Sequence, residues 1–223
     1  MTTARYGGVT YSVELAESPS EREAAYALRA SEYQSAQSYL LLPEGALLPA
    51  GVPHRAADVY DERSFIFSCR ETSENDACSP ALATCRFTVP QRGRFELDDL
   101  TEGWERPPVP AEALVETSRV VVRRDVRAMG LVEVMLLLAG SWLLEETPLR
   151  YNFAVCARPL ERLYARLGMG LVTDGEVVLR GRPIDRRYVV IYGDMAASRP
   201  TVMQRLTAHG WDFSPSILRK AGT

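Results

Sequence analysis

The sequence is poor in the residues that most metal sites and many nucleophilic sites require. It contains only two histidines, His54 and His209, and its four cysteines include no C-x-x-C pair. A structural zinc site needs four closely paired Cys or His ligands, and a Ser-His-Asp triad needs a histidine to move the proton. We therefore expect neither of these sites, and we interpret the cysteines as reduced thiols of an intracellular protein.

Long apolar runs and an excess of basic charge are also missing. No segment reaches the ~18 consecutive apolar residues of a membrane-spanning helix, and the N-terminus MTTARYGGVTYSVE lacks the apolar core of a secretory signal. Lys and Arg total 26 against 29 Asp and Glu, which argues against a general nucleic-acid binder. We expect a cytoplasmic protein without membrane or nucleic-acid partners, formed by one domain over residues 1–223.

The hydrophobic pattern predicts both strands and helices. TYSVELA alternates as a strand, SPSEREAAYALRASEYQSA follows as a helix with Ser20 and Glu23 spaced as a capping box, and SFIFSCRE with ALATCRFTV predicts a hairpin. The segments 37–62 and 90–113 carry prolines without a period and are predicted loops. We expect an α/β (α+β) fold, with a mixed central sheet and helices on both faces.

The second half alternates strand and helix more regularly. Strand LVETSRVVV, a helix from about Arg127 to Glu146 and strand RYNFAVCA are followed by helix PLERLYARLG, which Gly168 should end. GLVTDGEVVL and RRYVVIYGD then predict two further strands. The long helix allows the strands on either side of it to run parallel.

Four arginines lie where strand LVETSRVVV passes into the long helix: Arg119, Arg123, Arg124 and Arg127. Their mutual repulsion predicts an anion at this junction. A helix start offers unpaired N–H groups and a partial positive charge, and Gly130 lets a ligand approach the backbone closely. We therefore predict that a phosphate or pyrophosphate binds at Arg127 and Gly130, although ordinary helix capping is an alternative.

The segment VVVRRDVRAMGLVEVML resembles the acyl-donor motif of the GNAT-superfamily N-acyltransferases, which is Arg or Gln, two residues, Gly, one residue, then Gly or Ala. Arg127 and Gly130 match, whereas Val132 replaces the usual small residue. LERLYARLGMG resembles the second conserved segment of the family, where a tyrosine at the place of Tyr164 protonates the leaving thiolate. The resemblance implies a GNAT-like fold and a donor that is acyl-CoA or carrier-bound acyl-phosphopantetheine, with no permanently bound cofactor.

A second pattern resembles the acyl-homoserine-lactone (autoinducer) synthases, a branch with the GNAT-like fold. Their pattern is an arginine, aromatics four and then six residues on, D-x-[YF]-D, an arginine ending a strand, and E-x-S-R. This sequence reproduces it with Arg29, Tyr33, Tyr39, Asp58, Asp61, Arg86, Glu116 and Arg119. Both aromatics are tyrosines where Phe and Trp are usual. The long-chain N-acyl amino acid synthases share much of this layout and remain an alternative.

The resemblance implies an acyl transfer from a thioester to an amine. Glu116 would take the amine proton, a backbone N–H near Val121 or Val122, freed by a β-bulge, would hold the oxyanion, and Tyr164 would protonate the thiolate. The remaining residues of the second pattern would position a small amino-acid-like acceptor, and S-adenosylmethionine is a candidate whose own carboxylate closes a lactone. An acyl carrier protein is a candidate partner for Arg123, Arg124 and Arg150.

Each residue also has a simpler structural explanation. Arg29 can pair with Glu32 on its own helix, and Asp61 with Arg86 can be a salt bridge between neighbouring segments. Glu116 and Arg119 have an odd spacing, so in a regular strand they face opposite sides unless a bulge intervenes. Two other functions therefore stay open: a plain GNAT acetyltransferase of small amines, and a non-catalytic acyl-CoA sensor.

Overall fold

The structure, a computed structural model, describes residues 2–36, 40–41, 56–72, 79–101, 103–181 and 187–214. Within these residues nine strands form a single sheet. The strands are β1 (Thr2–Tyr6), β2 (Val9–Leu15), β3 (Ser64–Thr72), β4 (Ala83–Thr88), β5 (Leu114–Val122), β6 (Tyr151–Ala157), β7 (Gly170–Leu171), β8 (Tyr188–Asp194) and β9 (Asp212–Phe213).

The described α-helices are α1 (Pro19–Ala36), α2 (Glu96–Leu100), α3 (Leu131–Glu146), α4 (Glu161–Ala165) and α5 (Met195–Ala208). Short 3₁₀ segments cover Asp61–Arg63, Ala111–Ala113, Arg124–Met129 and Arg158–Leu160. None of the helices in the described ranges is long and apolar enough to cross a membrane.

The strand order across the sheet is β7-β8-β6-β5-β4-β3-β2-β1-β9. Strands β5 and β6 run parallel and are joined by α3, whereas the other described pairs are antiparallel. The mixed sheet and the parallel pair around the long helix are thus confirmed.

Alternation along β3 places helices on both faces of the sheet. Phe67 and Cys69 belong to the large core cluster that contains α3, whereas Ile66, which points the other way, packs with Ala25 and Tyr26 of α1. Helix α3 is apolar around its circumference because the sheet covers one side and α5 the other. The predicted arrangement of a sheet between helices is therefore confirmed.

Local capping explains where the helices begin. Helix α1 uses Ser18 and Glu21, not Ser20 and Glu23: the Ser18 hydroxyl accepts from the Glu21 N–H, and the Glu21 carboxylate accepts from the Ser18 N–H at 2.8 Å. Helix α5 begins after Asp194, whose carboxylate accepts from two backbone N–H groups.

Several predicted bounds are wrong. Helix α3 begins at Leu131 rather than near Arg127, because a 3₁₀ segment precedes it and Gly130 turns the chain with a φ of 73°. The predicted loop 90–113 contains α2, and within GLVTDGEVVL only residues 170–171 form a strand. Strands β1 and β9 and helix α5 were not predicted. Most of the predicted loop 37–62 lies outside the described residues.

Gly168 follows α4 in the left-handed region, with a φ of 76°, as predicted for the residue that ends this helix. A Cβ at this position would overlap the Cβ of Ser198 on α5. The close approach of the two segments therefore requires glycine here for space as well as for conformation.

We predict that Gly168→Ala lowers the free energy of unfolding by about 2–4 kcal/mol, because left-handed strain adds to the overlap with Ser198. Gly93→Ala is the matched control, since Gly93 has a φ of 75° and open space around it, and it should cost only about 1 kcal/mol. Urea unfolding followed by circular dichroism measures both values. Equal losses in the two variants would contradict the packing argument.

Candidate active site

A β-bulge interrupts β5 between Ser118 and Val121. These residues pair with Arg86 and Thr84 of β4, so two residues of β5 stand opposite one residue of β4. Arg119 lies in the bulge with a φ of 51°, which a residue with a side chain adopts only when its surroundings hold it there. The extra residue reverses the alternation of β5, so the side chain of Arg119 reaches the face on which Glu116 lies.

Three arginines and four carboxylates meet on the face of the sheet that α1 covers. They come from α1, the turn before β3, β4, α2 and β5, and most have no exposed surface or nearly none. The cluster consists of Arg29, Arg86, Arg119, Asp58, Asp61, Glu96 and Glu116.

Arg86 is the centre of this ionic cluster and is completely buried. Its Nη1 contacts Asp58 and lies 3.1 Å from Asp61 Oδ1, and its Nη2 contacts Glu96. Its Nε donates to the Ser118 hydroxyl at 3.0 Å. All three nitrogens of the guanidinium group thus have partners within the chain.

The other two arginines of the cluster are also paired with carboxylates of the chain. Arg29 lies 3.0 Å from Asp61, whereas Glu32, the partner considered from the sequence, contacts Arg127. Arg119 donates from Nε and Nη2 to Asp58 Oδ2 at 3.1 and 2.5 Å, and its Nη2 is 3.4 Å from Glu96. Burial opposes the ionisation of Asp58, but the two guanidinium groups beside it outweigh burial and hold its pKa well below the ordinary value.

Glu116 is a buried carboxylate whose pKa lies well above the ordinary value. It is 1% exposed, and its Oε2 accepts from the backbone N–H of Leu97 at 3.3 Å. Burial and the neighbouring charge of Glu96 raise the pKa of Glu116 to about 8, against the opposing effects of that N–H and of Arg86. The cluster contains three arginines and four carboxylates. Its formal charge is therefore zero while Glu116 is protonated, and −1 once Glu116 has ionised.

A cavity of about 160 Å³ opens beside this cluster, and we call it the central cavity. The pairing of β5 with β6 ends at Glu116 and Phe153, although both strands continue. The cavity lies between the unpaired ends of the two strands. Its lining includes Tyr33, Glu96, Glu116, Ser118, Arg119, Cys156 and Tyr164.

Tyr164 of α4 borders the central cavity and is 7% exposed. Burial raises its pKa above the ordinary value, so the side chain stays a neutral phenol that can donate a hydrogen bond. Tyr33 of α1 borders the same cavity. The structure therefore brings together Glu116, Arg119, Tyr33 and Tyr164, whereas Tyr39 lies outside the described residues.

Four predicted acceptor residues lie behind the cavity wall. Arg29, Asp58, Asp61 and Arg86 are absent from its described lining. Arg86 contacts the lining residues Ser118 and Glu96, and Asp58 contacts Arg119, whereas Asp61 and Arg29 are linked to the wall through Arg86. From this position the four side chains can hold the wall residues in place, whereas they do not line the cavity in which a small molecule would bind. Val121 and Val122 are likewise outside that lining: Val121 packs with Leu28 and Tyr33, and Val122 lies in the main core. A role for their backbone N–H groups stays a prediction.

Arg127 and Gly130 line a second cavity of about 610 Å³, which we call the distal cavity. Arg127 lies on the 3₁₀ segment before α3, and its Nη2 contacts Glu32 at 2.7 Å while its Nε donates to the carbonyl of Val122 at 3.1 Å. Its side chain is 53% exposed. Arg127 and Gly130, two of the four predicted donor-binding residues, are thus together, but they do not border the central cavity.

The arginines at the end of β5 are neutralised largely by the chain itself. Arg123 pairs with Asp125 at 2.7 Å, and Glu32 of α1 lies 3.7 Å from Arg124 as well as contacting Arg127. The four arginines led us to predict an anion at this junction. In these pairs the anion is a carboxylate of the chain itself. Self-repulsion alone does not require a ligand at this junction.

Sequence reasoning missed Glu96 and Ser118. Glu96 lies in RFELDDL, a segment that was predicted to be a loop. Its position between the large apolar residues Phe95 and Leu97 is the feature of the sequence that could have indicated a buried charge. Ser118 is the serine of the E-x-S-R motif, to which the sequence assigned no role of its own. Within the described ranges no group of three His, Cys, Asp or Glu side chains is placed to hold a metal ion.

Comparison with known proteins gives matches to structures only. No protein-family model matches the chain, and the curated protein sequences give no match. The CoA-dependent acyl-homoserine lactone synthase BjaI, solved with MTA, aligns with a TM-score of 0.60 at 15% identity, covering 90% of each chain.

Two other solved structures align similarly. FeeM, an N-acyl amino acid synthase from uncultured soil microbes, has a TM-score of 0.56 at 10% identity over 86% of this chain and 95% of its own. An acyl-CoA N-acyltransferase from Pseudomonas aeruginosa has a TM-score of 0.52 at 17% identity over 83% and 99%. The chain therefore shares the fold of these proteins, which is the GNAT-like fold expected from the sequence.

Proposed function

We propose that this chain is an N-acyltransferase that moves an acyl group from a thioester to the amine of a small amino-acid-like acceptor. The observation that carries the proposal is Glu116, a buried carboxylate with a raised pKa at the wall of the central cavity, where β5 and β6 separate. Perturbed carboxylates in a cleft are typical of catalytic acids and bases.

Glu116 has the properties of the general base that the reaction needs. An amine attacks a thioester carbonyl only when its nitrogen carries a free electron pair, so the ammonium proton must be removed. In the proposed step, the amine nitrogen forms a bond to the carbonyl carbon, its proton passes to ionised Glu116, and the carbon–sulfur bond breaks. A pKa of about 8 matches this task near neutral pH.

Two groups would stabilise the charges that develop. The bulge that ends just before Val121 makes the backbone of β5 irregular beside the central cavity, which supports a role of a nearby N–H in holding the oxyanion. Tyr164 would donate a hydrogen bond to the departing sulfur. Its raised pKa favours hydrogen bonding over complete proton transfer, and solvent can supply the final proton.

The donor would extend from the central cavity toward Arg127 and Gly130. Leu160 and Tyr164 border the central cavity, whereas Leu163 and Arg166 border the distal cavity. Both cavities therefore lie along the same short segment around α4. A phosphate in the distal cavity would leave the thioester end of the donor near Glu116. Both acyl-CoA and acyl-phosphopantetheine on a carrier protein have such a phosphate.

The charge of the cluster favours a cationic acceptor. Once Glu116 ionises, four carboxylates face three arginines, and the surplus negative charge borders the cavity. S-adenosylmethionine carries a sulfonium and an ammonium group, and one solved BjaI structure contains it with isopentyl-CoA. Arg119, whose side chain is 12% exposed, is the candidate partner for the acceptor carboxylate. An acyl-homoserine-lactone synthase is therefore the function we favour.

The second candidate is a long-chain N-acyl amino acid synthase, which the structural likeness to FeeM supports.

We expect organic extracts of a host expressing this chain to contain acyl-homoserine lactones, detected by mass spectrometry. Open N-acyl amino acids would favour the second candidate. Neither product, together with acetylation of generic amines by the purified protein, would indicate a plain acetyltransferase, and extracts of a Glu116→Gln strain are the control.

We predict that Glu116→Gln lowers kcat by on the order of a hundredfold or more, because the amide cannot accept the amine proton. In the wild type, kcat/KM should rise with pH as Glu116 loses its proton at a pKa of about 8. Steady-state thiol release measured between pH 6 and about pH 9.5 tests both statements.

The matched control is Glu112→Gln, the same substitution at an exposed position just before β5. It should leave both the rate and the pH profile unchanged. Wild-type rates in Glu116→Gln would remove Glu116 from the role of base, and any pH dependence left in that variant reports the acceptor amine.

We also predict that Glu96→Gln moves the rising limb of the pH profile to lower pH. The negative charge of Glu96 opposes the ionisation of Glu116, so its removal lowers the pKa of the base. The readout is the pH at which kcat/KM reaches half its plateau. A profile that keeps its midpoint while the rate falls would indicate that Glu96 only supports Arg86 and Arg119.

A further inference from the structure

We infer that the distal cavity holds the nucleotide end of free coenzyme A through residues of β1 and α5, with Arg205 as the group that distinguishes CoA from carrier-bound phosphopantetheine. This inference rests on the proposed function and chooses between its two donors. The residues that carry it are Arg205, His209 and Tyr6, which lie outside both segments that resemble the GNAT motifs.

Arg205 is the arginine of the distal cavity with an unused buried donor. Its Nη2 is buried and has no hydrogen-bond partner among the described residues. A buried guanidinium nitrogen without an acceptor is costly, and a phosphate oxygen is the acceptor that forms the strongest hydrogen bond with it. Arg127, in the same cavity, differs because Glu32 already accepts from it.

The number of arginines in the distal cavity matches the three phosphates of coenzyme A. Arg127, Arg166 and Arg205 come from three separate segments, and Glu133 is the carboxylate that faces them in the described lining. Phosphopantetheine brings a single phosphate, which Arg127 and the start of α3 can accommodate. Coenzyme A adds a second phosphate of the diphosphate and a third on the ribose, which match Arg166 and Arg205.

An aromatic pair in the same wall suits the adenine base. The Tyr6 ring stacks on Trp211 with centroids 4.9 Å apart, and both line the distal cavity. The Trp211 indole donates to the carbonyl of Met129 at 3.0 Å, which fixes the pair to the segment that carries Arg127. Trp211 is buried and Tyr6 is half-buried, so a base would stack on Tyr6.

The surface arginines are less suited to an acidic carrier protein. Arg123, Arg124 and Arg150 each have a carboxylate within salt-bridge distance, namely Asp125, Glu32 and Asp194. Paired charges attract a distant acidic protein weakly, and the chain as a whole has a net charge of −3. Arg205, by contrast, has a buried nitrogen without a hydrogen-bond partner among the described residues, and it lies inside the distal cavity, which a small molecule reaches more easily than a protein surface does.

Calorimetric titration of the purified protein with CoA and with 4′-phosphopantetheine tests the inference without needing an acceptor. We expect CoA to bind more tightly, and Arg205→Met to weaken CoA binding by on the order of tenfold while leaving 4′-phosphopantetheine unchanged. Arg166→Met, at an exposed position, should also weaken CoA selectively and cannot fail through misfolding of the core. Arg187→Met, which removes an exposed charge elsewhere, is the matched control and should change neither affinity.

The outcomes separate this inference from the proposed function. Equal affinities for the two ligands, or equal losses for both in Arg205→Met, overturn the role of Arg205. Faster thiol release from acyl carrier protein than from acyl-CoA overturns the inference and leaves the acyltransferase in place. CoA binding that depends on Arg205, without acyl transfer to any amine, supports the subsite and overturns the proposed function in favour of a sensor.

Discussion

The pairing of buried Arg86 with three carboxylates is the constraint on which the site depends. A guanidinium group without exposed surface is stable only when charged partners surround it, since desolvation of a lone ion costs several kcal/mol. Asp58, Asp61 and Glu96 come from the turn before β3 and from α2, so their contacts with Arg86 on β4 hold these segments against the sheet. The wall of the central cavity is thus fixed from behind.

The same network sets the proton affinity of Glu116. The three arginines are matched by Asp58, Asp61 and Glu96, so ionised Glu116 is the surplus charge. The pKa of Glu116 is higher in the folded protein than in the unfolded chain. Between about pH 4.5 and pH 8, the folded state therefore still holds a proton that the unfolded state has already released. The stability that Glu116 contributes is therefore complete at low pH and is lost as the pH rises through about 8. If Glu116 is the proposed base, its ionised form at working pH therefore costs the fold some stability.

The sequence predicted the elements of the fold better than the geometry of the site. Alternation and helical period identified the main strands, α1 and α3, and the order of charged motifs identified most of the cluster. The face occupied by Arg119 could not be predicted, because it depends on a bulge whose left-handed residue is held by the tertiary contact with Asp58. Glu96 was missed because a five-residue helix has too few residues to show a period. The start of α3 shifted because Gly130 breaks the helical path.

In the proposed acyl transfer, the two cavities would bind reactants of opposite charge. Glu96 and Glu116 border the central cavity beside Arg119, and the proposed amine would arrive there as a cation and lose a proton. Three arginines border the distal cavity beside Glu133, and the phosphates of the proposed donor would lie there. Arg123, at the end of β5, pairs with Asp125, and Arg124 lies 3.7 Å from Glu32, so neither would draw the phosphates of the proposed donor out of the distal cavity. Charge pairing within the chain would thus help to keep the anionic tail of the proposed donor in the distal cavity, away from Glu116, whose ionisation a further negative charge would oppose.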